Sequence, residues 1–417
     1  YWGIHNLREK VNEYWVESNY DLPAENLDFI KNLGEVFAGN SDGLDSLNGF
    51  LWENELNNEA NFQQVANWVD LESYTDYLMT QLFFANRDWP GNNQKYWRDR
   101  VKGSKWRFIL FDLDFTMGIY DFDPSIDMLS FATVPDNEEW PNPAWATLLI
   151  RRLLENEGYK DQFVKKYLVH LNTTFEPMRV NHAIDSFYYR LYDIFPAHIE
   201  RWGRPNSMED WTFFVDGLRL FAHERPAYVR QNMRNFFSLG EEVPLAIEAP
   251  EHGQVWVNGV RLPANGMQGS YVKDLDLDLV YLPEPGFVLK AWELINKNGT
   301  DTLALKDPAI SVMLEDSTYI RALFEEAEID PDIQLYINEF MASNQDAHPD
   351  DFGEYDDWIE LYNAGEEEVD IAGLYLTDDL ERPDRYRIPD GYAGLTTICP
   401  RDHLVLYADK DSLQGPL

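Results

Sequence analysis

Near residue 240 the apolar spacing of this chain changes period, and that change limits the fold more than any other feature. Before it, Val65, Val69, Tyr74, Leu78 and Leu82 recur at helical spacing within 62–84, and 145–171 and 184–202 read the same way. After it, short apolar runs separated by turn residues take over. The run 255–260 enters an Asn258-Gly259 turn and is followed by 269–272, 275–282, 287–292 and 320–324. Beyond 330 the runs 333–340, 358–362, 373–376 and 404–407 again read as strands. Two periods in separate blocks call for separate layers, so the expected fold class is multidomain α+β. The expected parts are a helix-rich domain at 1–240, a small all-β module at 241–326 and a second β domain at 331–417. With 417 residues, 44% hydrophobic and 15% aromatic, the chain can bury a core in each.

Charge excludes partners. Asp and Glu number 74 against 34 Lys and Arg, a formal net charge of -40. Such a surface repels phosphate backbones and anionic membranes, so no nucleic-acid partner is expected. It suits metal ions, basic partners and high-salt or extracellular settings. Cys399 is the one cysteine, which excludes a disulfide framework and a multi-cysteine metal site. No apolar run approaches the roughly 20 residues of a membrane helix, so no membrane insertion is expected. The chain opens at Tyr1 without Met, inside a strand-like stretch at 1–7, and stops soon after 404–407. It reads as a fragment cut at both ends, and the missing signal peptide carries no information.

Residue types able to do chemistry concentrate in the first part. A long helix leads into Asn86-Arg87-Asp88-Trp89-Pro90-Gly91-Asn92-Asn93, and a strand-like pair, 94–101 and 105–113, follows with Lys102-Gly103-Ser104 as its turn. The acid-rich stretch 120–139 reads as a loop. Pro90-Gly91 forces a turn and Asn tolerates left-handed backbone, so a purely structural loop is one reading. The hairpin supplies the other. Centred on Gly103, it sets Asp112 opposite Gln94, one step from Asn93, with cross-strand neighbours about 5 Å apart. A slip of one or two residues leaves Asn93 and Asp112 at the same end, with Asp88 on the loop above. Two oxygen-bearing side chains and a free carboxylate suit a hard divalent cation held with substrate phosphates, most simply Mg2+. An acid five residues before an Asn, then an acid at the end of the next hairpin, is the layout of a protein-kinase catalytic loop and its metal-binding Asp.

Three blocks, 1–10, 86–97 and Trp106-Arg107-Phe108-Ile109-Leu110-Phe111-Asp112-Leu113-Asp114, appear in order and resemble the CotH kinase family. The resemblance covers about 1–240. It implies a divergent two-lobe kinase-like fold in a secreted, atypical protein kinase that moves phosphate from ATP to Ser or Thr of surface proteins, with Mg2+ or Mn2+. Carried over, Asp88 is the catalytic base, Asn93 and Asp112 are metal ligands, and Asp114 is an auxiliary one. Most of the small lobe is expected before Tyr1, leaving a truncated N-lobe. No glycine-rich phosphate loop is found, and the ATP-contacting lysine stays unassigned, Lys95 included. Arg8 and Glu9 are candidates for the nucleotide-side ion pair, against a reading as solvated strand-end charges.

Residues 337–344, 357–363 and 373–379 resemble a lamin-tail domain, an immunoglobulin-like β-sandwich, from about 331 to the end. Such domains in bacterial secreted proteins resemble anchoring modules. That implies an extracellular or cell-surface location, with anchoring through this domain. Asn338, Glu339, Asp357 and Glu360 offer oxygen ligands to Ca2+, against turn-capping and solvated acids, which the lack of EF-hand spacing favours. The middle module resembles, more weakly, small β repeats of bacterial surface proteins and suggests a spacer.

Other conspicuous residues take plainer roles. His170, His182, His198 and His223 lie scattered on helices without metal spacing. Trp89, Trp97, Trp106 and Trp140 suit an aromatic core better than a sugar platform. Cys399 has no partner His. Two alternatives to a kinase remain: a catalytically silent surface adhesion or scaffold protein, and a glycoside hydrolase built on Asp88 and Asp112 with tryptophan platforms.

Overall fold

The computed structural model describes residues 3–408, apart from 6, 21, 102, 120, 136–141, 274, 285–286, 298, 304–307, 327–333, 343, 345–346, 350–354, 379–384 and 390–391. The first helix, α1 (Glu13–Tyr20), precedes a hairpin of β1 (Leu27–Lys31) and β2 (Glu35–Ala38). Then come α2 (Asp42–Glu53), α3 (Glu59–Trp68), α4 (Leu71–Phe83), β3 (Lys95–Asp99) and β4 (Arg107–Ile109). Helices α5 (Met128–Thr133), α6 (Leu148–Leu153), α7 (Glu157–Asn172), α8 (Pro177–Tyr192), α9 (Phe195–Trp202) and α10 (Met208–Phe237) follow. The four strands form one antiparallel sheet in the order β2-β1-β3-β4. One face of it holds Phe29, Trp97 and Ile109, packed with Val16 of α1 and Val11. The other presents Ile30, Tyr96 and Phe108 to the main helical core.

Several elements differ from the sequence reading. The described residues of 1–7 form no strand, and Leu7 is fully exposed; Tyr1, Trp2 and Asn6 lie outside the described residues. No strand among the described residues pairs with that stretch, and period alone cannot supply a partner. The single helix at 62–84 is two. Val69 leaves the helix to bridge Trp106, and Asp70 caps α4, its carboxylate accepting the Ser73 amide at 3.1 Å. Asn156 likewise divides α6 from α7, accepting from the Tyr159 amide at 3.0 Å. The 120–139 loop contains α5, capped by Asp127 onto Ser130. The β3–β4 hairpin is shorter and two residues out of step with expectation. Lys95 pairs with Ile109 rather than Phe111, because the connection 100–106 is centred one residue before Gly103.

Nine further strands make a two-sheet sandwich. They are β5 (Glu242–Ile247), β6 (Gly253–Val257), β7 (Val260–Arg261), β8 (Met267–Val272), β9 (Asp276–Pro283), β10 (Phe287–Asn296), β11 (Gly299–Leu303), β12 (Ala309–Met313) and β13 (Thr318–Glu326). The sheets run β11-β10-β13-β5-β8 and β12-β9-β6-β7. Asn258 and Gly259, both at positive φ, make the β6–β7 turn, the left-handed pair a two-residue hairpin needs. This sandwich is not a separate bead. Its Leu245, Val257, Met267 and Tyr271 belong to the same apolar cluster as Leu78, Phe163 and Phe221 of the helices. Polar contacts close the seam. Arg230 of α10 pairs with Glu242 at 2.8 Å, and the Asn172 amide donates to the Ser270 carbonyl at 2.9 Å.

The last part has its own small core of Leu361, Val369, Ile371, Ile388, Ile398 and Leu406. Strands β14 (Leu335–Met341), β15 (Trp358–Asn363) and β20 (His403–Tyr407) make one antiparallel sheet. β16 (Val369–Asp370) pairs with β19 (Thr397–Ile398), and β17 (Tyr375–Leu376) with β18 (Tyr386–Arg387). Asn363 is fully buried, and its amide donates to the carbonyls of Glu367 and Ile398, stitching these layers together.

Candidate active site

Helix α4 delivers the chain to the site. Its C-terminal turn is buried through Leu82 and Phe83, and Ala85, at φ 50°, swings the backbone out of the helix. Asn86 is buried. Its amide donates to Gln81 Oε1 at 2.9 Å and its Oδ1 accepts the Asp88 N–H at 3.0 Å, fixing the backbone just before Asp88. The buried Trp89 indole donates to Tyr77 Oη at 2.9 Å, and a cis peptide joins Trp89 to Pro90. Asp88 stays half-buried. Its Oδ2 accepts the amides of Asn92 at 2.9 Å and Asn93 at 2.8 Å. Asn93 is buried at φ 54°, a conformation that Asn tolerates better than most residues. The β1–β2 turn braces the loop from outside. The Asn32 N–H donates to the Gln94 carbonyl at 2.9 Å, and the Asn32 side-chain amide to Asn92 Oδ1 at 3.3 Å.

The opposite wall is the segment after β4. Two backbone bonds lash it to the Asp88 loop: Arg87 N–H to the Phe115 carbonyl at 2.9 Å, and Met117 N–H to the Phe84 carbonyl at 2.7 Å. Asp112 sits at φ 56° and Met117 at φ 55°. Strained backbone on both walls is what functional loops commonly store. Partial burial, then the negative charge of Asp114 and a hydrogen bond with it, then the charge of Asp88, hold the Asp112 carboxyl above the ordinary carboxylate range; Lys31 acts in the opposite sense. Lys31 faces Lys95 across the β1–β3 ladder. The Lys95 ammonium donates to the Val11 carbonyl at 2.8 Å and lies 4.3 Å from the centre of the Phe111 ring. Burial, and then Lys31, lower its pKa from the usual lysine value, while Asp112 opposes. The site is therefore two-signed, with carboxylates and lysines close enough to act on one another.

Asp88 and Asn93 are in direct contact, and Asp112, Asp114 and Asp88 are close enough for each carboxylate's charge to act on the Asp112 carboxyl. Asp112 does not stand opposite Gln94, because the ladder ends at Lys95 and Ile109. Arg8 and Glu9 are both exposed, and no ion pair joins them among the described residues; Glu9 accepts only a long bond from Asn19. Lys31 was missed by the sequence reading, although an isolated lysine closing a strand before an Asn-Leu-Gly turn was visible. No group of three or more His, Cys, Asp or Glu placed to hold a metal occurs among the described residues. The acids alone are thus no closed metal cage, and Asn93 must be counted with Asp112 and Asp114 for a ligand set to exist. In the last part, Asn338 donates to Glu360, Asp357 accepts the Asn344 amide, and Glu339 faces Glu360 along the ladder. Three of the four are thus engaged in local hydrogen bonds, and the acids among them form no metal-holding group among the described residues. Trp89, Trp97 and Trp106 are all buried, so none is a sugar platform; Trp140 lies outside the described residues.

Comparison with known families places this geometry. The CotH kinase protein family model matches residues 1–229, which include both walls of the site. The chain belongs to the CotH kinase protein family. The Lamin Tail Domain model matches residues 331–415, the part built on β14–β20. No curated protein and no solved structure matches the chain. CotH membership points to an atypical kinase of that type. No helix among the described residues is long and apolar enough to cross a membrane.

Proposed function

We propose that this CotH protein transfers the γ-phosphoryl group of ATP to a Ser or Thr hydroxyl of a protein, in a divergent kinase-like fold. One observation carries the reading. Asp88 is gripped through Oδ2 by the Asn92 and Asn93 amides, which leaves Oδ1 as the oxygen able to accept a proton. As the acceptor hydroxyl attacks phosphorus, its proton passes to Asp88 Oδ1, the new O–P bond forms and the bond to the ADP leaving oxygen breaks. The two amides hold the carboxylate still.

The donor set suits a hard divalent cation. Asp112 and Asp114 crowd negative charge together, which a cation relieves, and the Asn93 Oδ1 is not used in binding Asp88. Asp112, Asp114 and Asn93 are the residues that would hold Mg2+ or Mn2+, which would neutralise charge on the phosphates. Lys31 and Lys95, cross-strand neighbours whose charges reach Asp112, are the cations we assign to the triphosphate. Arg8 and Glu9, in the exposed segment that Lys95 anchors through Val11, are candidates to flank the nucleotide. Secretion, a surface-protein substrate and anchoring through the lamin-tail domain are proposals that rest on the family resemblance alone.

The test is incubation of the purified chain with labelled ATP, Mn2+ and a Ser-containing acceptor protein. Label on protein that is lost in Asp88→Ala and Asp112→Ala supports the assignment. Transfer undiminished in both variants sinks it. Sugar release without ATP would instead favour a glycoside hydrolase.

A further inference from the structure

One charged side chain sits behind both walls of the site. Arg225 of α10 is 1% exposed, yet no carboxylate among the described residues hydrogen-bonds to it. Its Nε donates to the Phe83 carbonyl and its Nη2 to the Leu82 carbonyl, each at 2.7 Å. Its Nη1 donates to the carbonyls of Pro124 and Ile126, again at 2.7 Å. Leu82 and Phe83 end α4, where carbonyls lack helical partners and a cation is favoured. That end runs, five residues on, into Asp88. Pro124 and Ile126 end the segment that begins at Asp112. Burial lowers the guanidinium's pKa to about 10, which is still high enough to keep it charged.

A buried cation satisfied only by backbone carries a desolvation cost that an apolar residue would avoid. What it supplies in return is a rigid fork of donors in fixed directions. Here the fork spans the two segments whose spacing sets the distance from Asp88 to Asp112 and Asp114. The bonds Arg87 to Phe115 and Met117 to Phe84 continue the same lashing toward the site.

We propose that Arg225 is a positioning residue for phosphoryl transfer, fixing the gap between the Asp88 loop and the Asp112–Asp114 segment. The inference rests on the kinase reading above for its catalytic consequence, and on the geometry alone for its effect on metal binding.

The test uses the full chain as wild type, Arg225→Met and Arg225→Lys. Three quantities are read: the melting temperature, Mn2+ affinity by the electron paramagnetic resonance of free Mn2+, and kcat with KM for the acceptor protein. Arg225→Met is expected to lose about 10–100-fold in Mn2+ affinity and about 100-fold in kcat per folded molecule, with KM for the acceptor protein unchanged. Arg225→Lys, which keeps the charge and fewer donors, should recover part of both. A fall in melting temperature with wild-type Mn2+ affinity and kcat in the folded molecules would make Arg225 a helix cap only and overturn the proposal. If Arg225→Met does not fold, Arg225→Lys decides by the same criteria. If the wild type transfers no phosphate, the kinase reading fails while the Mn2+ titration still decides: a drop in the variants upholds the coupling, and equal affinity overturns it. No Mn2+ binding by the wild type overturns both.

Discussion

The Asn93 amide donates to Asp88 across 2.8 Å, so the residue proposed to take a proton is oriented by the one proposed to hold the cation. Two roles in one contact should respond differently to substitution. Asp88→Asn keeps an oxygen for one amide but removes the base. It is expected to retain Mn2+ and ADP binding while kcat falls by about 10²–10⁴-fold. Steady-state transfer assays beside calorimetric ADP titrations read the two effects separately.

Asn93 combines a buried amide with φ 54°, and the backbone and side-chain contributions can be parted. Asn93→Gly accommodates the conformation, whereas Asn93→Ala adds strain of about 1–2 kcal/mol. Both should weaken Mn2+ binding at least tenfold, and only the alanine variant should also lower the melting temperature through strain. Mn2+ binding by Asn93→Gly that matches the wild type would remove Asn93 from the ligand set.

The raised Asp112 carboxyl predicts a pH effect with a definite sign. A carboxyl whose folded pKa lies above its unfolded one favours the fold below the unfolded pKa, and that contribution is lost as pH rises through the folded value. A cation needs the charged form, so metal affinity should fall on acidification already above the ordinary Asp range. Asp114→Asn removes the neighbouring charge. It should move that acid limb to lower pH, even as the plateau affinity drops with the lost oxygen. Mn2+ titrations from pH 4 to 8 would show an unmoved limb if Asp114 were not the cause.

Away from the chemistry, the sheet end is held by an ion pair with a buried carboxylate and a half-buried guanidinium. Asp28 is fully buried and takes both Nε and Nη2 of Arg98 at 3.0 Å, with Arg98 lying over Trp106. A Cβ at Gly43 would fall 2.2 Å from Arg98 Nη2. Asp28→Ala should cost about 3–5 kcal/mol, and Gly43→Ala about 1–3 kcal/mol. Urea unfolding of the full chain measures both, and a neutral Gly43→Ala would mean that Arg98 has somewhere else to go.

Gly269 tests the seam between helices and sandwich. A Cβ there would sit 1.9 Å from Asn172 Oδ1, the acceptor of an Arg230 bond. Gly269→Ala should destabilise by about 1–3 kcal/mol, and should do so in the one transition seen by helical circular dichroism and by sandwich tryptophan fluorescence alike. Separate transitions would show two independent cores.

Local chemistry was what the sequence made legible. Asn258-Gly259 announces its hairpin, and the spacing of Asp88, Asn93 and Asp112 is enough to expect them near one another, as they are. What stayed hidden depends on partners distant in sequence. Val69 breaks a helical pattern because Trp106 waits beside it, and the stretch 1–7 alternates like a strand but has no neighbour to pair with among the described residues. The hairpin register differs because β3 is also held from its other edge by β1, a pairing continued by Arg100 to Asn26 that no local pattern encodes. Arg225 was invisible for the same reason, since its four acceptors lie 99 to 143 residues away and are backbone oxygens that any side chain would leave in place.

The single apolar interior running from Leu78 through Phe221 to Tyr271 redefines the smallest piece of this chain that can be moved or grafted. A fragment ending after Phe237 would carry a raw hydrophobic flank where β5 and β8 had lain, and would be prone to clumping rather than to acting as a trimmed enzyme. The lamin-tail part, with an interior of its own, is the piece that shuffling between proteins could exchange freely.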